Sequence, residues 1–398
     1  PVGVLPWVCC RRCAAEGVLP KVCCRGCAAE GVLPWVCCLS GSLMSACPLT
    51  LIGEGTGNLA EKLDGRNRFG TFAGVFTPCI LTIFGVIMFL RTGYVVGQSG
   101  LLRALLILSI ANLISLLTAL SLSAIATNQR VEGGGAYFLI SRSLGSEFGG
   151  SIGLALYIAQ GASVALYIAG FTEALVSTYP DLLSHSLEIS MGVCFILFLM
   201  SYIGAAWVIK LQFLVLGALG LAILSFFIGG GLKLSGAESL LHFYDNLSPS
   251  YSGENSFWLI FALYFPAVTG IMAGAGMSGE LESPEESLPK GTLLAIALSY
   301  LVYALQMLLL AACFSRELLC EDSMILKRLS IYGPLIDLGL WAATLSSALG
   351  SFVAAPRVLQ ALARDRIFPS LSFFAVTGGP SAEPRRAVVL TFILAMLC

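Results

Sequence analysis

Residues 70–100 read GTFAGVFTPCILTIFGVIMFLRTGYVVGQSG. From Thr71 to Leu90 no residue is charged. About 20 apolar residues, rising ~1.5 Å each as a helix, cross a hydrocarbon core of about 30 Å. Yet Thr77-Pro78 and Gly85 lie near the middle of the run. Pro lacks a backbone donor and Gly tolerates non-helical dihedrals, so the stretch predicts a membrane helix broken near mid-depth, with backbone groups laid bare there. Residues 265–281, FPAVTGIMAGAGMSGEL, repeat the feature with Pro266, Thr269, Gly270, Gly274 and Gly276.

Apolar runs of membrane-spanning length lie near 71–91, 101–126, 149–177, 188–209, 211–231, 256–278, 291–314 and 334–362, and a ninth starts near Ala387. The two interrupted runs are the first and the sixth, which are equivalent places in two five-helix halves. That placement predicts an all-α membrane protein with an inverted-repeat, five-plus-five transporter fold, broken in helices 1 and 6 and cut in the ninth span. Composition agrees: 57% of residues are hydrophobic and 11% charged, against about 25% charged in a soluble domain. A net charge of -1 without a basic stripe excludes nucleic acid as a partner and leaves the lipid bilayer.

Basic residues concentrate in the loops that share a side with the segment before span one, among them Arg130, Arg142, Lys290, Arg357, Arg364, Arg385 and Arg386. The positive-inside bias predicts a cytoplasmic N-terminus in a multi-pass protein, with the plasma membrane as the expected site. Asn246-Leu247-Ser248 forms a glycosylation sequon on the other side, followed by Pro249. Residues 1–60 stand apart. GVLPWVCC or GVLPKVCC recurs at 3–10, 17–24 and 31–38, a 14-residue tandem repeat that matches no solenoid period. This Cys-rich stretch and its linker read as disordered or as a translated repeat, and 61–398 as the transporter core. Nine of the 14 Cys precede Pro48; Cys79, Cys194, Cys313, Cys320 and Cys398 read as small hydrophobes rather than a disulfide framework.

No Asp, Glu, Lys, Arg or His falls in the central parts of spans one, six or eight, which disfavours a proton relay. The groups on offer are neutral oxygens: the side chains of Thr82, Tyr167, Thr269, Ser346 and Ser347, and carbonyls at the breaks. They suit a dehydrated monovalent cation, while the half-helix N-termini after each break suit an anion. Small inorganic ions are the expected substrates, with no cofactor. No nucleophile–base pair or metal-ligand cluster falls in one pocket, so the chain does not read as an enzyme.

Four stretches occur in one order: 70–100, EGGGAYFLISRSLGSEFGGSIG at 132–153, 265–281, and AAPRVLQALARD at 354–365. Together they resemble the cation-chloride cotransporter family, solute carrier family 12-like, within the amino-acid/polyamine/cation permease superfamily, with the look of a divergent or prokaryotic-type member. The resemblance implies twelve helices, of which this chain holds eight and part of a ninth, and a homodimer formed through parts further toward the C-terminus. It implies a potassium-like site at Thr82, Ile83, Tyr167, Pro266 and Thr269, where Thr82 replaces the Asn of the pattern and has one side-chain oxygen with shorter reach. A sodium-like site follows at Leu81, Phe84, Ala343, Ser346 and Ser347, the last three within one helical turn. Chloride sites fall on Gly85, Val86 and Ile87 and on Gly270, Ile271 and Met272, and Arg91 with Glu173 form an outer gate. The implied activity is chloride-coupled symport of potassium and sodium by alternating access. The alternatives are an amino-acid or polyamine permease of the same fold and a non-transporting regulatory partner of a cotransporter.

Overall fold

The computed structural model describes residues 69–128, 134–203, 205–234, 238–376 and 384–398. The repeat stretch 1–60 lies outside the described residues. Among the described residues eight helices are long and apolar enough to cross a membrane: Phe72–Leu90, Thr92–Asn128, Ser146–Thr178, Pro180–Ile203, Leu211–Lys233, Phe257–Gly276, Pro284–Cys313 and Gly333–Arg364, here spans one to eight. A further apolar helix, Arg385–Leu397, follows at the expected place of the ninth. The protein is therefore an all-helical, integral multi-pass membrane protein. Since the chain alternates direction at each span, span one starts at what we call the near face, and spans three, five and seven also start there.

Within their most apolar windows, 78% of span one and 72% of span eight lie inside the protein, against 17% of span four. Spans one and eight are thus central and span four meets lipid, where exposed Leu and Phe need no explanation. Span eight packs along spans three and five, and span seven along span two. Phe69 and Leu281 form an isolated bridge on the near face, with the Phe69 N–H donating to Glu280 O at 2.8 Å. The start of span one is thereby tied to the end of span six.

Both expected breaks are present, and of the residues that pointed to the first, Gly85 marks it and Pro78 does not. Pro78 sits in the first turn of the helix Thr77–Ile83, directly after a π-helical turn at Phe72–Phe76. In a first turn the missing N–H costs nothing, and the wider π turn makes room for the ring. The helix instead stops at Phe84 (φ -79°, ψ 55°) and restarts at Val86 after an extended Gly85. Span six is a helix to Tyr264, a 3₁₀ turn at Phe265–Val268, an extended Thr269, and a short helix Met272–Gly276. Gly270 has φ +146°, and a Cβ there would lie 3.0 Å from Ile83 Cγ1 and 3.2 Å from Thr82 Cβ. Only glycine suits that backbone, and the proximity shows that the two breaks touch.

Two further expectations need correction. The first apolar span ends at Leu90, but the helical path does not stop near 91: Val95 N–H donates to Arg91 O at 3.0 Å and the chain stays helical from Thr92 to a corner at Gly100, φ +68°. A Cβ on Gly100 would meet Ser248 O at 2.4 Å, so the loop after residue 245 is seated on this corner. Asn246 belongs to that loop, is fully buried, and donates to Ala311 O at 2.9 Å and Phe314 O at 2.8 Å. The sequon is therefore a structural asparagine and not an accessible glycosylation acceptor. Of the later Cys, Cys79, Cys194 and Cys313 are buried as read, whereas Cys320 is half-buried and Cys398 exposed.

Candidate functional site

Breaking two helices inside apolar surroundings frees carbonyls that need donors. At the first break Ile83 O accepts the Gly85 N–H at 2.9 Å and the Tyr303 hydroxyl at 2.8 Å. The same hydroxyl reaches Ala267 O in the sixth-span break at 3.2 Å. Ser115 of span two donates to Val268 O at 3.1 Å, and Gln306 of span seven to Met88 O at 2.8 Å. Cys79 Sγ lies 3.6 Å from Ile271 O. Side chains of spans two and seven thus hold the unwound segments in place.

Residues expected at a potassium-like site surround this junction. The Thr82 hydroxyl turns back onto Pro78 O at 2.8 Å. Thr269 does the same on Pro266 O, also at 2.8 Å, so each hydroxyl spends its proton on its own backbone and keeps lone pairs for another partner. Tyr167 comes from span three and packs against the apolar cluster that contains Leu349 and Phe352 of span eight.

The sodium-like residues come together in part. Ser347 is 1% exposed and its hydroxyl lies 3.1 Å from Leu81 O and 2.9 Å from Ala343 O. Three neutral oxygens from two spans therefore meet directly beside the first break. Ser346, the residue before it, lines a narrow crevice with room for about one water, shared with Pro78, Leu81, Thr82, Gln212, Ala273 and Met277. Phe84 contributes its ring, edge-on to Tyr303 at 5.7 Å between centroids. The residues expected to bind chloride occupy the two helix restarts: Gly85, Val86 and Ile87 at the first break, and Gly270, Ile271 and Met272 at the sixth. The Gly85 N–H is already spent on Ile83 O, as noted above.

Charges are arranged in layers away from the breaks. On the far face Arg91 pairs with Glu173 at 2.9 Å, with side chains 40% and 47% exposed, and Lys327 pairs with the buried Asp337 at 2.6 Å. On the near face Arg357 pairs with Glu280 and also approaches Met277 Sδ at 3.5 Å. Beside it, the Tyr137 hydroxyl donates to Asp365 at 2.7 Å and Arg142 to the other carboxylate oxygen at 3.0 Å. Burial, and then the bond to Asp365, push the Tyr137 phenol up to about 12. It remains a donor at physiological pH. The crevice lies on the near side of the breaks and the Arg91–Glu173 pair on the far side.

The sequence reading missed Tyr303, Gln306 and Ser115, and both the Lys327–Asp337 and Glu280–Arg357 pairs. A signal existed in span seven, where Ser299, Tyr303 and Gln306 recur at helical spacing on one face of an apolar run.

The family model for amino acid permeases matches residues 74–398. Solute carrier family 12 member 1 of Mus musculus is 37% identical over 395 residues, covering 85% of this chain and 36% of that protein. Solute carrier family 12 member 9 of Danio rerio is 37% identical over 382 residues, covering 85% of this chain and 42% of the relative. The chain thus spans less than half the length of these relatives. Among solved structures, the crystal structure of MhsT in complex with L-phenylalanine aligns with a TM-score of 0.54 at 13% identity, over 84% of this chain and 79% of that one. This likeness bears on the fold alone, and it agrees with a transporter fold broken in helices 1 and 6. The chain belongs to the amino acid permease family, and its solute carrier family 12 relatives bear out the resemblance of its signature stretches to the cation-chloride cotransporters.

Proposed function

We propose that the full-length protein containing this chain is a secondary active transporter that moves potassium together with chloride, coupled to sodium, by alternating access. The observation that carries the reading is that Ser347 Oγ lies within 3.1 Å of both Leu81 O and Ala343 O, beside two touching helix breaks that bear no Asp, Glu, Lys, Arg or His. Neutral oxygens at such spacing favour a dehydrated monovalent cation. The restarts at Val86 and Met272 offer N–H groups for an anion, and binding both ions together limits the charge placed in the membrane. The near-side crevice with an ion pair on the far face corresponds to the inward-facing half of the cycle if the near face is cytoplasmic. Arg142, Lys290, Arg357, Arg364, Arg385 and Arg386 on that face support this orientation, and a plasma-membrane location and a homodimer remain part of the same proposal.

A second reading, an amino-acid permease, draws on the name of the matching family model and on the amino acid held by the structural neighbour. Against it, the first break reads Ile83-Phe84-Gly85-Val86, and Phe84, Tyr264 and Tyr303, all buried, fill the space beside both breaks. The test is rubidium uptake by the full-length protein, with chloride replaced by gluconate and, separately, sodium by N-methylglucamine. Uptake should fall in both media. Uptake indifferent to chloride refutes the cotransport reading, uptake indifferent to sodium refutes its sodium part, and chloride-independent uptake of a neutral amino acid establishes the second reading.

A further inference from the structure

Tyr303 makes the link between the two breaks with one atom. Its hydroxyl has a single proton and two carbonyl acceptors, Ile83 O at 2.8 Å and Ala267 O at 3.2 Å. The ring is fully buried and is held edge-on by one aromatic from each broken span, Phe84 at 5.7 Å and Tyr264 at 5.9 Å. Three residues on, Gln306 fixes Met88 O in the far half of span one at 2.8 Å, so this face of span seven grips span one on both sides of its break. Ile83 is one residue from Thr82 and two from Gly85. Ala267 is two residues from Thr269 and three from Gly270. Any pull on the Ile83 carbonyl by an ion must therefore be shared through the Tyr303 hydroxyl with the segment that leads to the sixth-span restart.

We infer that Tyr303 is the positioning residue that couples cation occupancy at the first break to anion occupancy at the sixth. The inference rests on the cation-chloride reading above and names the element through which the two ions sense each other. Coupling between two sites needs a physical element whose arrangement both of them bias, and a three-centre hydrogen bond that spans both breaks is such an element. Ser115 provides the contrast. It also satisfies a break carbonyl, Val268 O at 3.1 Å, but it comes from span two and bonds to one break alone.

The experiment measures the rubidium KM of the full-length protein at low and at saturating chloride, and takes the ratio of the two values as the coupling. Wild type, Tyr303→Phe and Ser115→Ala are compared at matched surface expression. Phe keeps the ring packing and removes the hydroxyl alone, so the coupling ratio should shrink about fivefold, the scale of one buried hydrogen bond. Ser115→Ala should keep the wild-type ratio whatever its effect on Vmax. If uptake by Tyr303→Phe is too slow to fit, the ratio is read from rubidium-dependent thermal stabilisation of the purified protein with and without chloride. A wild-type ratio in Tyr303→Phe overturns the inference and leaves the transport reading intact. An equal loss in Ser115→Ala also overturns it, because any lost break hydrogen bond would then suffice. Wild-type rubidium uptake that ignores chloride overturns both.

Discussion

Gly270→Ala adds one methyl group where the two broken spans meet. The backbone there has φ +146°, a conformation that costs an L residue about 1–3 kcal/mol. The new Cβ would stand 3.0 Å from Ile83 Cγ1, 3.1 Å from Ile83 N and 3.2 Å from Thr82 Cβ. The first neighbour is the γ carbon of a buried, β-branched side chain that is stiff at χ1, and the second is backbone at the first break, which cannot move without opening it. Overpacking of this kind costs about 1–3 kcal/mol more. A total of at least about 2 kcal/mol against the juxtaposed breaks corresponds to a factor of roughly 30 in their population. Rubidium uptake by the full-length variant should therefore fall at least tenfold at unchanged surface expression, because the rest of the bundle does not depend on this contact. Gly217→Ala is the control: a Cβ at Gly217 meets nothing within 4 Å, and its uptake should stay at the wild-type level. Wild-type uptake and KM in Gly270→Ala would show that the breaks do not need to touch during transport.

Three other outcomes are expected. Ser347→Ala removes the hydroxyl that joins Leu81 O to Ala343 O and should raise the sodium KM about fivefold or more; an unchanged sodium dependence would reduce Ser347 to helix packing. Arg91→Glu and Glu173→Arg should each slow uptake and the double exchange should restore part of it, with a coupling of up to about 1 kcal/mol given the exposure of the pair; simple addition of the two losses would remove the gate. Asn246→Ala should lower the thermal midpoint of the purified protein, since the Ala311 and Phe314 carbonyls lose a buried donor at about 1–3 kcal/mol, and leave the mobility shift produced by glycosidase the same as in wild type. A mobility shift lost with Asn246 would place the residue at the surface.

The spans were legible because membrane helices are written as apolar runs of fixed length, and the boundary errors fall where a polar residue does not end a helix. Arg91 and Thr92 looked like an end. The Thr92 hydroxyl bonds back to Met88 O at 3.0 Å and the helix continues, so polarity alone misplaced the corner that Gly100 makes. Pro78 misled in the opposite sense. A missing N–H breaks a helix only where that N–H would have been used, and a π turn followed by a first-turn Pro uses none. The sequon failed for a reason that no local pattern contains, since burial of Asn246 depends on two carbonyls at the end of span seven.

For the site, residues on the broken helices could be named in advance because breakage itself is encoded in Pro, Gly and the lack of charge. The residues that hold the breaks could not, since a tyrosine or glutamine in an apolar span looks the same whether it faces lipid headgroups, packs, or meets a free carbonyl. What decides among these is which face of span seven turns inward, and that is set by its packing along span two. Ser299, Tyr303 and Gln306 share one face, and all three are buried. A buried polar face in the middle of a bilayer must find partners or be selected against by several kcal/mol. The two broken spans carry the surplus of acceptors in this protein, so a polar stripe on an otherwise apolar span is best read as the complement of a helix break elsewhere in the chain.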